Sequence, residues 1–310
     1  MVTPMTPFVL AHLSDPHLAP LPRPKLHQLA GKRALGYANW TQNRRGTQQG
    51  DVLSTLVADM KAQRPDHTAV TGDLVNLALP AEFGPAREWL ESLGPPSDVT
   101  AVPGNHDAYV FTTRHHHRHE WDDYLRGDDA AEGGTFPFIR KRGPVVLIGV
   151  STAVPTLPLM ATGRLGRKQR EALARTLGEL KDSGLFRVLL IHHPLASPRE
   201  RWHKRLTDAR QLLAILREHG VDMVLHGHDH RHSTMMFEGP HGPIPAIGVP
   251  SASAAPHGTR DPAAYNLFYI DKDGDDWRVE MATRGFRPRD TSGFDDSPLQ
   301  VTDIKRRQPV

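Results

Sequence analysis

The sequence predicts an α/β fold on three observations. Short apolar runs alternate with helical periodicity as far as Leu225. Only strand-like runs follow residue 232. The earlier strands stop at clusters of Asp, Asn, His and Gly. Alternation of this kind builds parallel strands with crossover helices, and a strand-rich end adds a mixed sheet or a second sheet.

Each element follows from its own pattern. Phe8 to Leu13 is an apolar run between Pro7 and Asp15 and reads as the first strand. Val52, Leu53, Leu56, Val57 and Met60 recur at helical spacing. His67 to Thr71 is strand-like and closes at Gly72. Residues 81–93 read as a helix with Phe83, Trp89, Leu90 and Leu93, and Val99 to Val102 as a strand ending in Pro-Gly-Asn. Pro144 to Val150 is a strongly apolar strand. Residues 167–181 set Leu173, Leu177 and Leu180 on one helical face. A strand at Arg187 to Ile191, a helix at 208–219 and a strand at Asp222 to Leu225 complete the alternation. Residues 233–238, 244–249, 265–271 and 277–282 read as further strands. No repeat or long linker divides residues 1–284, which are read as one domain. Residues 285–310 are polar with Pro and Gly and are expected to form a tail that wraps the surface or stays mobile.

Composition narrows the chemistry. The absence of Cys excludes disulfides, thiolate zinc sites and cysteine nucleophiles. No apolar run approaches the roughly 20 residues of a membrane helix. The first residues lack a basic n-region and a small-residue cleavage site, so a cytoplasmic protein is expected. A net charge of +3 does not require a nucleic-acid partner. Histidine is the outlier at 19 residues, and histidine suits metal ligation and proton transfer.

Five motifs sit where strands stop: Ser14-Asp15-Pro16-His17, Gly72-Asp73-Leu74-Val75-Asn76, Pro103-Gly104-Asn105-His106-Asp107, Ile191-His192-His193-Pro194 and His226-Gly227-His228-Asp229-His230. Ligands of open α/β sheets bind at the carboxyl ends of strands, so these residues are expected to converge. Asp15 and His17 are two apart, as are His228 and His230, and in extended backbone such pairs point to one side. Gly72, Gly104 and Gly227 allow sharp turns. Carboxylate, amide and imidazole donors without sulfur suit Mn, Fe, Zn, Co or Ni. Asp15, His17, Asp73, Asn105, His193, His228 and His230 are seven candidate ligands, enough for two metals that share a carboxylate.

On these five ordered blocks, spanning residues 15–230, the sequence resembles the calcineurin-like metallophosphoesterase superfamily. The resemblance implies a four-layer αββα sandwich of two mixed sheets flanked by helices. It implies two divalent or trivalent metal ions, with Mn, Fe or Zn expected. Asp15, His17, Asp73 and His230 would hold one ion, and Asp73, Asn105, His193 and His228 the other. His106 matches the non-ligand histidine placed on the leaving group, and Asp107 its hydrogen-bond partner. His192 and His226 are read as supporting residues. The implied activity is hydrolysis of a P–O bond by a hydroxide that both metals share. The compact size and the forms of the second and third blocks look like bacterial cyclic-nucleotide and glycerophospho-diesterases.

Two basic stretches lack acid. Residues 18–50 hold Arg23, Lys25, Lys32, Arg33, Arg44 and Arg45, and residues 133–170 hold Arg140, Lys141, Arg142, Arg164, Arg167, Lys168 and Arg170. The first also carries Leu26, Leu29, Leu35, Tyr37 and Trp40. It is expected to wall the cleft, with Arg33, Arg44 or Arg45 facing the phosphate, or to touch a membrane peripherally through residues 23–45. The His-rich run Arg114 to His119 reads as a helical, solvated or substrate-facing segment. The partner expected is a small anionic phosphoester, with no obligatory nucleic acid. The rival readings are a nucleotide-lipid pyrophosphate hydrolase similar to UDP-diacylglucosamine pyrophosphatases, a DNA nuclease with an ATPase partner, and a non-catalytic scaffold.

Overall fold

The computed structural model describes residues 6–44, 50–130, 135–196, 202–256, 260–274, 276–286 and 294–304. Twelve strands make two six-stranded sheets among these residues. The first sheet holds β1 (Phe8–Leu13), β2 (His67–Val70), β3 (Val99–Ala101), β10 (Ala264–Asp273), β11 (Asp276–Phe286) and β12 (Phe294–Ile304), in the order β12-β11-β10-β1-β2-β3. The second holds β4 (Phe138–Arg142), β5 (Val145–Gly149), β6 (Phe186–Leu190), β7 (Met223–His226), β8 (Ser233–Phe237) and β9 (Ile244–Gly248), in the order β4-β5-β6-β7-β9-β8. β1, β2 and β3 run parallel, as do β5, β6, β7 and β9. The remaining pairings are antiparallel.

Helices α1 (Lys32–Asn39), α2 (Gly50–Ala62), α3 (Pro80–Leu93), α4 (His116–Glu120) and α5 (Asp122–Leu125) belong to the first half of the chain. α6 (Arg167–Glu179) and α7 (Ala209–His219) belong to the second. Three apolar layers follow. Leu53, Leu56, Met60, Phe83 and Leu90 pack on one face of the first sheet. Leu10, Val102, Leu147, Val188, Leu190, Leu225 and Phe268 fill the space between the sheets. Leu173, Leu177, Leu212 and Leu216 cover the outer face of the second sheet. This is the expected four-layer αββα sandwich. It brings the carboxyl ends of β1, β2, β3, β6 and β7, and with them all five motifs, to one edge.

Three local expectations change. Residues 294–304, expected within a polar tail, pair antiparallel with β11. A sheet edge offers unpaired backbone N–H and C=O groups, and polar sequence can satisfy them as well as apolar sequence. Residues 138–142 form strand β4, although their sequence reads as a basic run. There the Arg140 guanidinium is buried and donates to the carbonyls of Arg126 (2.7 Å) and Val99 (2.7 Å), while Arg142 pairs with Asp128 at 2.9 Å. In the His-rich segment, His117 is buried with Nδ1 3.3 Å from the Asp107 carbonyl, and His115 stays exposed.

Candidate metal centre

The ligand-bearing loops begin one or two residues past the strands, where the backbone turns left-handed. Asp15 (φ 52°), His17 (φ 41°), Asp73 (φ 57°), His228 (φ 69°) and His230 (φ 51°) all have positive φ. Non-glycine residues rarely adopt this conformation, and such strain gathers at functional sites. The i, i+2 pairs therefore converge through curled loops and not through strand pleating. Two glycines make the convergence possible. A Cβ on Gly104 would strike the Asp73 carboxylate, and one on Gly227 would strike Ser14 and Asp15.

Asp15, His17 and His230 face one another. His230 Nε2 lies 3.1 Å from Asp15 Oδ1 and 3.3 Å from His17 Nε2. His17 Nε2 lies 3.9 Å from Asp15 Oδ1 and 3.8 Å from Asp73 Oδ2. The second group surrounds Asp73 and Asn105. His192 Nε2 is 3.3 Å from Asp73 Oδ2 and 3.2 Å from Asn105 Oδ1. His228 Nδ1 is 2.9 Å from Asn105 Oδ1. Asp73 thus stands between the two groups. Asp15, His17, Asp73, Asn105, His192 and His228 are all buried.

Backbone carbonyls set which ring nitrogen faces the cluster. A carbonyl only accepts, so His17 Nδ1 donates to Val75 (3.2 Å), His192 Nδ1 to Thr71 (2.6 Å) and His228 Nε2 to Lys204 (3.0 Å). The opposite nitrogens are turned toward the carboxylates and Asn105, the arrangement found around metal-ligating histidines. Donor atoms of Asp15, His17 and His230 lie within 4.8 Å of one another, as do those of Asp15, Asp73 and His192. Oxygen and imidazole donors gathered in this way, without sulfur, are the kind of set that holds metal ions.

His193, expected as a ligand, is not among these donors. Its Nδ1 meets Thr152 Oγ1 at 2.7 Å and its Nε2 donates to the Ala161 carbonyl at 3.1 Å, so both ring nitrogens are engaged while the ring lies against that of His228, centroids 4.3 Å apart. Pairing with β7 continues past β6 through Ile191 N to Leu225 O and Gly227 N to His192 O. Alternation therefore persists. Leu190 faces the first sheet and Ile191 the outer helices, and in the same alternation His192 turns its Nε2 to Asp73 and Asn105 while His193 turns its nitrogens to Thr152 and Ala161. His226 also stays out of the donor set and packs beside Gly248 of β9.

His106 lies at the cluster with its ring edge-on to His17 (centroids 4.9 Å apart) and stacked on Tyr109 (5.2 Å). A ring nitrogen of His106 shares a 4.8 Å neighbourhood with His17 and Asp73. Its Nδ1 donates to the Asn76 carbonyl, not to Asp107. The Asp107 carboxylate instead accepts four backbone N–H bonds. Oδ1 takes Leu74 (2.9 Å) and Val75 (3.2 Å), and Oδ2 takes Asp73 (2.9 Å) and Gly104 (2.8 Å). Asp107 fastens the second motif to the third.

Burial acts to raise the Asp73 carboxyl, but the neighbouring His192 and His106 rings outweigh it and hold it well below the usual range. His192 moves oppositely. Burial lowers it, yet the Asp73 charge and hydrogen bond push it up to about 10. A metal held by His192 Nε2 and Asp73 would take the place of a proton between them. Burial, with the positive His192 adjacent, drops His193 to about 3, and burial drives His228 well below its ordinary value. Burial and then the Asp73 charge push Asp107 up to about 7.

The segment 18–50 contributes differently from expectation. Arg33 does not face the cluster. It is buried and donates to the carbonyls of Leu77 (3.0 Å) and Ala78 and to Thr113 Oγ1 (3.0 Å), which pins α1 to the second motif. Tyr37 and Trp40 stack with centroids 6.4 Å apart and pack on the apolar layer beside the first sheet, while Leu35 is half exposed. The Arg44 side chain and Arg45 lie outside the described residues. Lys32, not singled out from the sequence, enters the interior beside Tyr109. Among the described residues no helix is long and apolar enough to cross a membrane.

The calcineurin-like phosphoesterase family model matches residues 8–232. A probable cyclic nucleotide phosphodiesterase from Synechococcus is 26% identical over 234 residues, covering 74% of this chain and 80% of that protein. The glycerophosphodiester phosphodiesterase GpdQ of Enterobacter lignolyticus is 35% identical over 100 residues, 32% of this chain and 30% of that protein. The solved dimetal phosphatase from Danio rerio superposes with a TM-score of 0.60 at 14% identity, over 91% of this chain and 97% of that one.

Proposed function

The chain belongs to the calcineurin-like phosphoesterase family, and from that premise we propose that it hydrolyses small phosphodiesters, cyclic nucleotides and glycerophosphodiesters being the classes to try first. As a family member with phosphodiesterase-named relatives it is a phosphoric ester hydrolase. One observation carries the reading: oxygen and nitrogen donors of Asp15, His17, Asp73, Asn105, His192, His228 and His230 lie within a few ångströms of one another around Asp73. Asp15, His17, Asp73 and His230 would hold one ion, and Asp73, Asn105, His192 and His228 the other. Mn, Fe or Zn suits this donor set. When bound, two such ions supply Lewis-acid charge for the phosphoryl oxygens and an activated water.

The chain's own groups do the rest. Thr71, Val75 and Lys204 carbonyls fix the ring orientations, so little reorganisation is needed during reaction. His106 keeps its Nδ1 proton on Asn76. Transfer to a departing alkoxide therefore runs through Nε2, a role that contributes typically ~10²–10⁴-fold.

The test is a screen of cyclic nucleotides, phosphodiesters, phosphomonoesters and nucleotide-lipid pyrophosphates with added Mn, with Asp73→Ala as control. The variant is expected to lose both metals and essentially all activity. Two tightly held metals in Asp73→Ala would overturn the bridging assignment.

A nucleotide-lipid pyrophosphate is the second reading. Leu26, Leu35, Leu157 and Leu159 are large, apolar and exposed, and a hydrogen bond from Lys32 to Thr156 joins the two segments that carry them. Hydrolysis confined to acyl-bearing substrates, or binding to anionic vesicles, would favour it.

A further inference from the structure

Lys32 opens α1 and is only 8% exposed, yet no described carboxylate pairs with it. Its Nζ donates to Thr156 Oγ1 at 2.5 Å and stands 4.3 Å from the Tyr109 ring centroid. The Thr156 hydroxyl donates to the Met160 carbonyl at 2.6 Å, so it meets Lys32 as an acceptor. An ammonium carries three N–H donors. Among the described residues one finds a hydrogen-bond acceptor and the aromatic face accommodates the charge. Burying a cation is costly unless an opposite charge accompanies it.

The position of this cation is built. Tyr109 carries Lys32 against its ring and stacks on His106, which in turn meets His17 of the metal cluster. Burial pushes Lys32 down to about 8, with the Asp73 charge acting in the opposite sense. One turn along α1, Gly36 lets the helix lie close on Tyr109. A Cβ there would sit 2.5 Å from Tyr109 Oη and 2.7 Å from Leu77 Cδ2. Arg33 then locks the helix to the Leu77 and Ala78 carbonyls.

We propose that Lys32 is an anion subsite at the rim of the cluster, taking the outward oxygen of a phosphoryl group, and that the protein therefore also hydrolyses phosphomonoesters. This rests on the phosphoesterase reading and extends it. A monoester presents a third non-ester oxygen and close to one more negative charge near neutral pH than a diester. A buried, compact ammonium is matched to that charge. The diester lacks the third oxygen and gains little from Lys32.

The experiment uses Mn-loaded wild type, Lys32→Met, Lys32→Arg and Thr156→Val. Inorganic phosphate binding is measured by titration calorimetry, and rates are measured on p-nitrophenyl phosphate and bis(p-nitrophenyl) phosphate. Hydrogen bonds to charged groups predict a roughly 10- to 100-fold weaker phosphate affinity in Lys32→Met. KM for the monoester should rise by a similar factor, and the diester should stay within about twofold. Lys32→Arg and Thr156→Val should each keep phosphate affinity within about threefold, because the charge remains. Unchanged phosphate affinity in Lys32→Met, or equal losses on both esters, overturns the proposal. So does a loss in Thr156→Val as large as in Lys32→Met, which would make Lys32 a strap between α1 and the 156–160 turn. If Lys32→Met does not fold, wild type still decides: diester turnover without monoester turnover overturns this inference alone. Wild type inactive on both esters instead removes the phosphoesterase reading beneath it.

Discussion

Replacing Asp107 with alanine removes the acceptor of four backbone N–H bonds at once, those of Asp73, Leu74, Val75 and Gly104. All four donors sit in buried loops that water does not reach. A hydrogen bond to a charged group contributes about 1.5–3 kcal/mol, which makes the gross loss roughly 6 kcal/mol at the lower figure. Relief from burying a carboxylate near Asp73, the effect that pushes Asp107 up to about 7, offsets part of this. We expect a net destabilisation of roughly 3 kcal/mol, and for a chain of this size a fall in Tm of about 5–10 °C. Asp107→Asn keeps one oxygen and turns an NH₂ toward two of the donors, so it should fall between wild type and alanine. The assay is urea and thermal unfolding of metal-free protein, so that lost metal does not count as lost stability. A variant within about 1 kcal/mol of wild type that nonetheless loses catalytic rate would refute the reasoning. It would return the carboxylate to the side of His106.

The two adjacent histidines should separate cleanly. His192→Ala is expected to lose metal by elemental analysis, whereas His193→Ala should keep its metal and unfold at lower temperature, having lost the Thr152 and Ala161 contacts; the reverse pattern would return the ligand role to His193. His106→Ala should hold metal and lose rate by ~10²–10⁴-fold, with a smaller loss on nitrophenyl esters whose leaving groups need less protonation; equal losses across leaving groups would exclude acid catalysis. His67, held neutral by burial at about 3 against an ordinary 6.5, binds its proton more readily in the unfolded chain. Its contribution to stability is complete above pH 6.5 and is lost as pH falls toward 3, by about 1.4 kcal/mol per pH unit. His67→Gln should flatten the pH dependence of the urea midpoint in that window, and an unchanged slope would show that His67 is protonated when folded.

Much of the site was legible because its chemistry is local to each motif. Asp15, His17, Asp73, Asn105, His228 and His230 come together as their motifs suggest, since each follows a parallel strand that ends at the same edge of its sheet. The longer helices α2, α3, α6 and α7 were readable from one apolar stripe each, and the layered packing agrees with those stripes. Lys32 gave no signal. It sits in a run of basic residues on a segment with little periodicity, and its burial depends on Tyr109 and Thr156, which lie 77 and 124 positions further on.

The order of most elements, the five motifs and the donor chemistry are readable from the chain alone, because strand and helix periods and residue types are properties of short stretches. Which of His192 and His193 turns toward Asp73 and Asn105 is a matter of tertiary structure. Every residue of β6 is buried, facing the first sheet on one side and helices on the other, so its apolar run carries no phase. Only the meeting of the two sheets says which side holds Asp73 and Asn105. The same holds for Asp107, whose four donors belong to loops brought together by the pairing of β2 with β3. A carboxylate next to a histidine in sequence had a nearer partner in space, and that partner was the backbone of another motif.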